Sequence, residues 1–201
     1  QLLAVEARRL LEQDNSFNSV LITNADGTIV ASAPERLQLN GQSLQSREPL
    51  ERRKPLVSNA FHSITGNLVV FVSQPVFDAN GQYLGLVGGA LRLEQQNTLQ
   101  ALMDLNRRQN GAYVYLVDSQ RRVLYHPDPQ QIGRLIDHDR IVDAALSQAN
   151  GSLQAVDRDG NEMLAGYAGI PSSRWGIVSQ QPMAVVQETL SVTALKVAKG
   201  I

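Results

Sequence analysis

Apolar and polar positions along this chain follow two different periods, and the points where the period changes divide it into elements. In QLLAVEARRLLEQDN, Leu3 and Leu10, and Ala4 and Leu11, stand seven apart with charges between them. This predicts an amphipathic helix over residues 1–16 with one apolar stripe suited to a partner helix. SVLITNADGTIVAS then reads as two strands around Asp26-Gly27, a dipeptide suited to the positive φ angles of a tight hairpin. From Ala33 to Pro55 the chain is polar and proline-containing, too long and irregular for a simple turn. The alternation resumes in LVVFVSQPVFDANGQYLGLVGGALRL as strand, Asn80-Gly81 turn, strand, so the two hairpins predict a small, mostly antiparallel sheet. Leu93, Leu99, Leu102 and Leu105 then fall at helical spacings, and the run ends at Gly111, which predicts a linking helix.

The second half of the chain repeats the pattern of the first. Laying YVYLVDSQRRVLYHP over SVLITNADGTIVASA aligns Val114 with Val20, Asp118 with Asn24 and Val123 with Ile29, and QIGRLI then pairs Gly133 with Gly41. The offset is about 92 to 94 residues, the mark of a duplicated module. The second copy closes in LQAVDRDGNEMLAGYAGIPSSRWGIVSQQP, with strands around Asp159-Gly160. DRDGNE resembles the start of a calcium loop, but its Gly160 is fourth rather than sixth and Gly169 replaces the closing Glu, so a hairpin turn is expected there. In the last stretch Val186, Leu190, Thr193 and Val197 lie near one helical face. The chain opens on Gln1 and closes in this helical pattern, the expected look of an excised piece.

Composition narrows the function. Lys+Arg number 18 against Asp+Glu 19, a net charge of -1, which argues against a duplex nucleic acid partner. Cysteine is absent, which removes disulfides, thiolate nucleophiles and Cys-ligated metals. No apolar run reaches the ~18 to 20 residues of a membrane span, and no signal segment leads the chain.

Candidate chemistry is sparse. GxSxG, HExxH, P-loop and GxGxxG patterns are absent, so no enzyme activity and no cofactor is expected of this stretch. GLVGGA lies within a strand pattern, where its glycines permit close packing or a bulge. His62, His126 and His138 fall outside the i, i+4 spacing of a helical metal pair and read as loop residues. Arg47, Arg52, Arg53 and Lys54 crowd the irregular segment; Arg47 is the candidate to hold the acidic end of a small molecule, and the other three read as a solvated basic loop.

These residues together resemble a family. The order helix, ADGTIVAS, Arg-containing loop, KPLVSNAF, TGNLVVFVSQPVFDANGQYLGLVGGALRL, helix, then a second unit ending GYAGIPSSRWGIVSQQP, is similar to the double Cache sensor domain of bacterial transmembrane receptors. The most specific parts are the strand pair around Asn80-Gly81 with Pro75 before it, and Ile170-Pro171 to Trp175-Gly176. The resemblance implies an α/β (α+β) fold: an N-terminal signalling helix (1–16), a membrane-distal PAS-like unit (17–93), a linking helix (94–110), a membrane-proximal unit (111–182) and a C-terminal helix (183–201) leading to a membrane span.

The resemblance also implies a sensor on the periplasmic or extracytoplasmic side of the inner membrane, anchored through flanking helices and paired as a homodimer in the full receptor. Its output is a diguanylate cyclase or phosphodiesterase, a histidine kinase or a chemoreceptor module, and the SQPVFDANGQYLGLVGGALRL version looks closest to cyclic-di-GMP enzymes. Amino-acid-binding members carry an aromatic after the loop Arg and an Asp late in the second hairpin strand. Here Glu48-Pro49-Leu50 follows Arg47 and Ala90 takes the Asp position, which points to an organic acid instead. Alternation puts Phe71 and Ser73 on one face. With Arg47, Ser58, Phe61 and Ala90 they are the expected distal pocket, although Phe61 and Phe71 equally fit a plain core. The rival expectation is a dimerisation or protein-interaction module that binds no small molecule.

Overall fold

Period-two alternation gives each strand one face to bury, and the elements that cover those faces decide where space is left. The computed structural model describes residues 2–13, 16–104, 111–157 and 160–188. The chain divides into two compact units, Gln1–Ala101 and Leu102–Ile201.

The first unit begins with helix α1 (Leu2–Gln13), followed by the hairpin β1 (Ser19–Asn24) and β2 (Ile29–Ala33). The crossing segment carries the short helix α2 (Glu48–Arg52) and the two-residue strands β3 (Leu56–Val57) and β4 (Phe61–His62). The long hairpin β5 (Leu68–Phe77) and β6 (Tyr83–Arg92) completes an antiparallel sheet in the order β2-β1-β6-β5-β3, with β4 also on β5. Alternation sorts its side chains cleanly. Val20 and Ala33 face α1, where Ala7 is fully buried with Leu10 and Leu11 beside it. Leu21, Ile29, Val69, Phe71, Leu86 and Ala90 face the crossing segment, which returns Leu39 and Leu44 onto them. Leu2, Leu3 and Val5 stay exposed on α1. Helix α3 (Thr98–Asp104) comes next in the chain; Leu105 lies outside the described residues.

The second unit repeats the plan: β7 (Tyr113–Val117), β8 (Val123–Tyr125), helix α4 (Arg140–Leu146), β9 (Asn150–Val156), β10 (Glu162–Ile170) and β11 (Trp175–Pro182). Its sheet order, β8-β7-β11-β10-β9, matches the first. The β9–β10 pairing bears out the hairpin expected at residues 156–162, though Asp159 itself lies outside the described residues. Residues 183–188 are helical, while Leu190, Thr193 and Val197 lie outside the described residues. Among the described residues no helix is long and apolar enough to cross a membrane.

The duplication extends to individual hydrogen bonds. In the first hairpin turn Asn24 Oδ1 accepts from the N–H groups of Asp26 and Thr28; in the second, Asp118 Oδ1 accepts from those of Gln120 and Arg122. Gly41 N–H donates to Ile29 O at 2.8 Å, and Gly133 N–H donates to Val123 O at 2.8 Å. Both glycines sit at positive φ (83° and 84°), where an L side chain is disfavoured. The residues aligned from the sequence across these turns are therefore structural equivalents. Helix α4, by contrast, lies in a stretch to which the sequence pattern assigns no element. Asp139 caps it by accepting from Ile141 and Val142 N–H, and Ile141, Val142 and Ala145 bury its inner face.

Candidate functional site

The sheet face of the first unit that carries the crossing segment encloses a cavity of about 40 Å³. Its floor comes from the strands: Leu21, Ile29, Val69, Phe71 and Ala90. Its roof is the crossing segment, through Leu37, Leu39, Leu44, Phe61 and Ile64. Polar groups stand at its edge: Ser19, Gln45, Ser63, Thr65 and Arg92. A water needs ~10–15 Å³ of such space, so the cavity has room for a few waters as it stands.

Glycines in GLVGGA make this floor possible. A Cβ at Gly88 would lie 2.3 Å from Phe71 Cζ, so the buried Phe71 ring rests directly over bare backbone. On the opposite face, a Cβ at Gly89 would meet the Phe17 ring at 2.4 Å. The glycines thus permit close packing within a strand, as their place in the pattern indicates.

Of the six residues expected to form the pocket, Phe61, Phe71 and Ala90 line the cavity. Ser58 is buried and ties the roof to the floor: its Oγ accepts from Phe71 N–H at 2.9 Å and donates to Asn59 O at 2.7 Å, and its own N–H donates to Phe71 O. Ser73 shares Phe71's face but lies beyond the cavity, its Oγ buried with no hydrogen-bond partner among the described residues. Arg47 sits at the start of α2 with its side chain 79% exposed and its Nε 3.9 Å from Glu51, beside a separate surface depression with Asp26 and Leu50. Its neighbours are engaged locally, Arg52 with Glu48 at 2.9 Å and Arg53 over the Tyr83 ring.

Arg92, which is not among the residues expected from the sequence, lines the cavity, and Arg47 does not. It lies two residues after Ala90 on β6, so the same alternation that selects Ala90 selects Arg92. Its backbone N–H donates to Asn18 Oδ1 at 2.7 Å, which fixes the strand end that carries it. Ser19 pairs directly with Ala90 across β1–β6 and is legible by the same route. Gln45, Ser63 and Thr65 sit in turns, where no periodicity points; Ser63 and Thr65 share a 3.0 Å hydroxyl contact, and Asn67 Nδ2 donates to Thr65 Oγ1. Among the described residues, Arg92 is the only charged residue lining the cavity, and neither Asp nor Glu lines it. No three His, Asp or Glu side chains among those residues cluster to hold a metal ion.

A Cache domain family model matches residues 3–190. The chain belongs to the Cache domain family. No curated protein matches it. Among solved structures, an extracellular ligand binding receptor from Desulfohalobium retbaense DSM5692 is similar, with 16% identity and a TM-score of 0.69 over 90% of this chain. This Cache chain spans only 33% of that receptor's chain. The extracellular domain of rpHK1S-Z16, a protein assigned as a histidine kinase, gives a TM-score of 0.75 at 18% identity, covering 92% of this chain and 79% of that one. The ligand binding domain of the Pseudomonas aeruginosa PAO1 amino acid chemoreceptor PctB, solved with L-Arg, gives 0.64 at 18% identity, covering 96% and 78%. At these identities the likeness is one of fold.

Proposed function

We propose that this Cache domain is the extracytoplasmic ligand-sensing part of a membrane-anchored receptor, and that the first unit, taken as the membrane-distal one, binds a small organic acid. The single observation that carries the ligand class is the charge of the cavity lining: one cationic residue, Arg92, whose Nη1 donates to Gln95 Oε1 at 3.4 Å outside the lining and would turn to the ligand, with hydroxyl and amide side chains elsewhere in the lining and no carboxylate. A ligand carboxylate gains a charge-assisted hydrogen bond there. An ammonium group would be buried against Arg92 without a partner, at a cost of several kcal/mol. Solved neighbours that bind small molecules on the same fold, such as the L-Arg complex of PctB, support ligand binding as such. At about 40 Å³ the cavity must enlarge to admit an acid, and the roof is the part to move, because it is held by short strands and turns while the floor is a continuous ladder.

Movement of the roof would bias the terminal helices of a homodimer and so a cytoplasmic output, with cyclic-di-GMP turnover the first candidate and a histidine kinase the next. A thermal-shift and calorimetric screen of mono- and dicarboxylates against amino acids tests the ligand class, since binding stabilises the folded state. Acids that bind wild type and fail with Arg92→Gln are the expected result. Equal binding to both proteins would remove Arg92 from the site. The small cavity also favours a second reading, a dimerisation or protein-interaction module without a small ligand, and a screen in which no acid raises the melting temperature would select it.

A further inference from the structure

The second unit holds an opening much larger than the apolar cavity of the first. Between the upper part of its sheet and the segment before α4 lies a cleft of about 650 Å³, within the ~300–1,000 Å³ of ligand sites. It is lined on the sheet side by Tyr113, Tyr115 and Gln180, with His126 beside them.

Two hydrogen-bond donors are fixed there. Gln180 is buried and faces Tyr113 across the β7–β11 pairing. Tyr113 donates its hydroxyl to Gln180 Oε1 at 2.7 Å, so the amide is oriented and its Nε2 remains as the donor. His126 Nδ1 accepts from Asp128 N–H at 3.0 Å, which selects the tautomer with its proton on Nε2. The imidazole packs edge-on against Tyr113, centroids 5.3 Å apart, and burial holds its pKa below the ordinary value, so at neutral pH it is an uncharged donor. Neither donor is a by-product of secondary structure: both are side chains held by a second side chain or a turn.

The charges around the donors point the other way. Among the described residues, Asp128, Asp137, Asp139 and Asp157 line the cleft against two cations, Arg134 and Arg140. A bare anion would meet the donors but also this negative excess. A bare cation would suit the excess and leave both donors facing it without an acceptor, which costs about as much as a lost hydrogen bond. A molecule carrying both groups satisfies both requirements.

We propose that the cleft of the second unit is a ligand site for a small zwitterion of the amino-acid type, its carboxylate on Gln180 Nε2 and His126 Nε2 and its ammonium toward the aspartates. The site is separate from the first-unit cavity and opposite to it in preference, since that cavity offers no carboxylate.

The test titrates the full 201-residue chain with L-alanine and γ-aminobutyrate, and with butyrate and butylamine as the matching anion and cation, by calorimetry. At least one zwitterion binds wild type, with butyrate and butylamine weaker by roughly tenfold or more, as expected for losing one charged hydrogen-bonded end. Gln180→Glu keeps the Tyr113 contact but sets a carboxylate against the ligand's own, and weakens the zwitterion by at least a similar factor. Should Gln180→Glu fail to fold, His126→Gln gives the same reading from the other donor. Arg92→Gln, in the first unit, leaves zwitterion binding unchanged, so failure here is distinct from failure of the organic-acid site. Butyrate as tight as γ-aminobutyrate, binding indifferent to Gln180→Glu and His126→Gln, or no zwitterion bound at millimolar concentration would each overturn the proposal.

Discussion

Replacing Gly88 by Ala tests whether the cavity floor depends on bare backbone beneath Phe71. The new Cβ would lie 2.3 Å from Phe71 Cζ, 2.8 Å from Phe71 Cε1 and 2.7 Å from Val72 O, well inside the ~3.5–4.0 Å at which carbon atoms attract. Val72 O belongs to the interior strand β5 and cannot retreat without disturbing the β5–β6 ladder. The Phe71 ring is 1% exposed, and its free direction is into the cavity of about 40 Å³. Overpacking of this kind costs about 1–3 kcal/mol, and with one of the two close neighbours being backbone the upper half of that range is expected, ~2–3 kcal/mol.

For a unit of about 100 residues each kcal/mol moves the melting temperature by roughly 4–8 °C, so even 2 kcal/mol gives a fall of about 8–16 °C. Far-UV circular dichroism melts, with urea titrations in which the midpoint falls at unchanged slope, measure it. Adding Phe71→Leu to Gly88→Ala should recover part of the loss, because the two side chains compete for one space and their effects are then non-additive. A Gly88→Ala protein that melts within about 2 °C of wild type, or a double variant whose losses simply add, would refute this packing of the floor.

Three further outcomes are expected. Ser58→Ala leaves the buried Phe71 N–H without its acceptor and should cost about 1–3 kcal/mol, read by urea denaturation, with Ser58→Thr closer to wild type. Asp139→Ala removes the cap that accepts from both Ile141 and Val142 N–H and should cost ~1 kcal/mol, while Asp139→Asn or Asp139→Ser loses less. The His126 pKa is lowered from 6.5 chiefly by burial, so in the window between 6.5 and the lower folded value the unfolded chain binds more protons than the folded one. Its contribution to stability is complete above that window and is lost as pH falls through it; urea midpoints against pH should show this slope in wild type and a flatter one in His126→Phe.

Those parts of the fold that obey a local period are legible in the sequence. Both first hairpins and the Gly41–Gly133 equivalence come from turn chemistry repeated at a fixed offset, and the long β5–β6 hairpin comes from alternation around Asn80-Gly81. Helix α4 is hidden because its seven residues span under two turns, too short for a periodic signal beside His and Asp residues that suggest a loop. Arg47 stands out as a ligand cation for its place in a basic run and for the loop Arg that the family resemblance implies. That run is organised by the short helix α2, whose i, i+4 spacing pairs Arg52 with Glu48 and Arg47 with Glu51. Arg92 is within reach of the same alternation that selects Ala90, two residues away, but it ends a strand rather than joining a cluster of charge, and so draws no notice. The wide cleft of the second unit has no sequence mark at all, since an opening depends on what fails to pack.

The matched glycine hydrogen bonds after β2 and β8 have a consequence for how such domains diversify. Gly41 and Gly133 hold the departing chain to the sheet through the same donor and acceptor, and Leu44 N–H to Gly27 O and Ile136 N–H to Arg121 O close both departures alike. Beyond that shared exit the two segments differ completely, one bearing α2 and the other α4. The exit therefore works as a fixed socket, and what is plugged into it is a cassette. A duplicated module can in this way hold two different crossing segments over the same sheet order in a single chain.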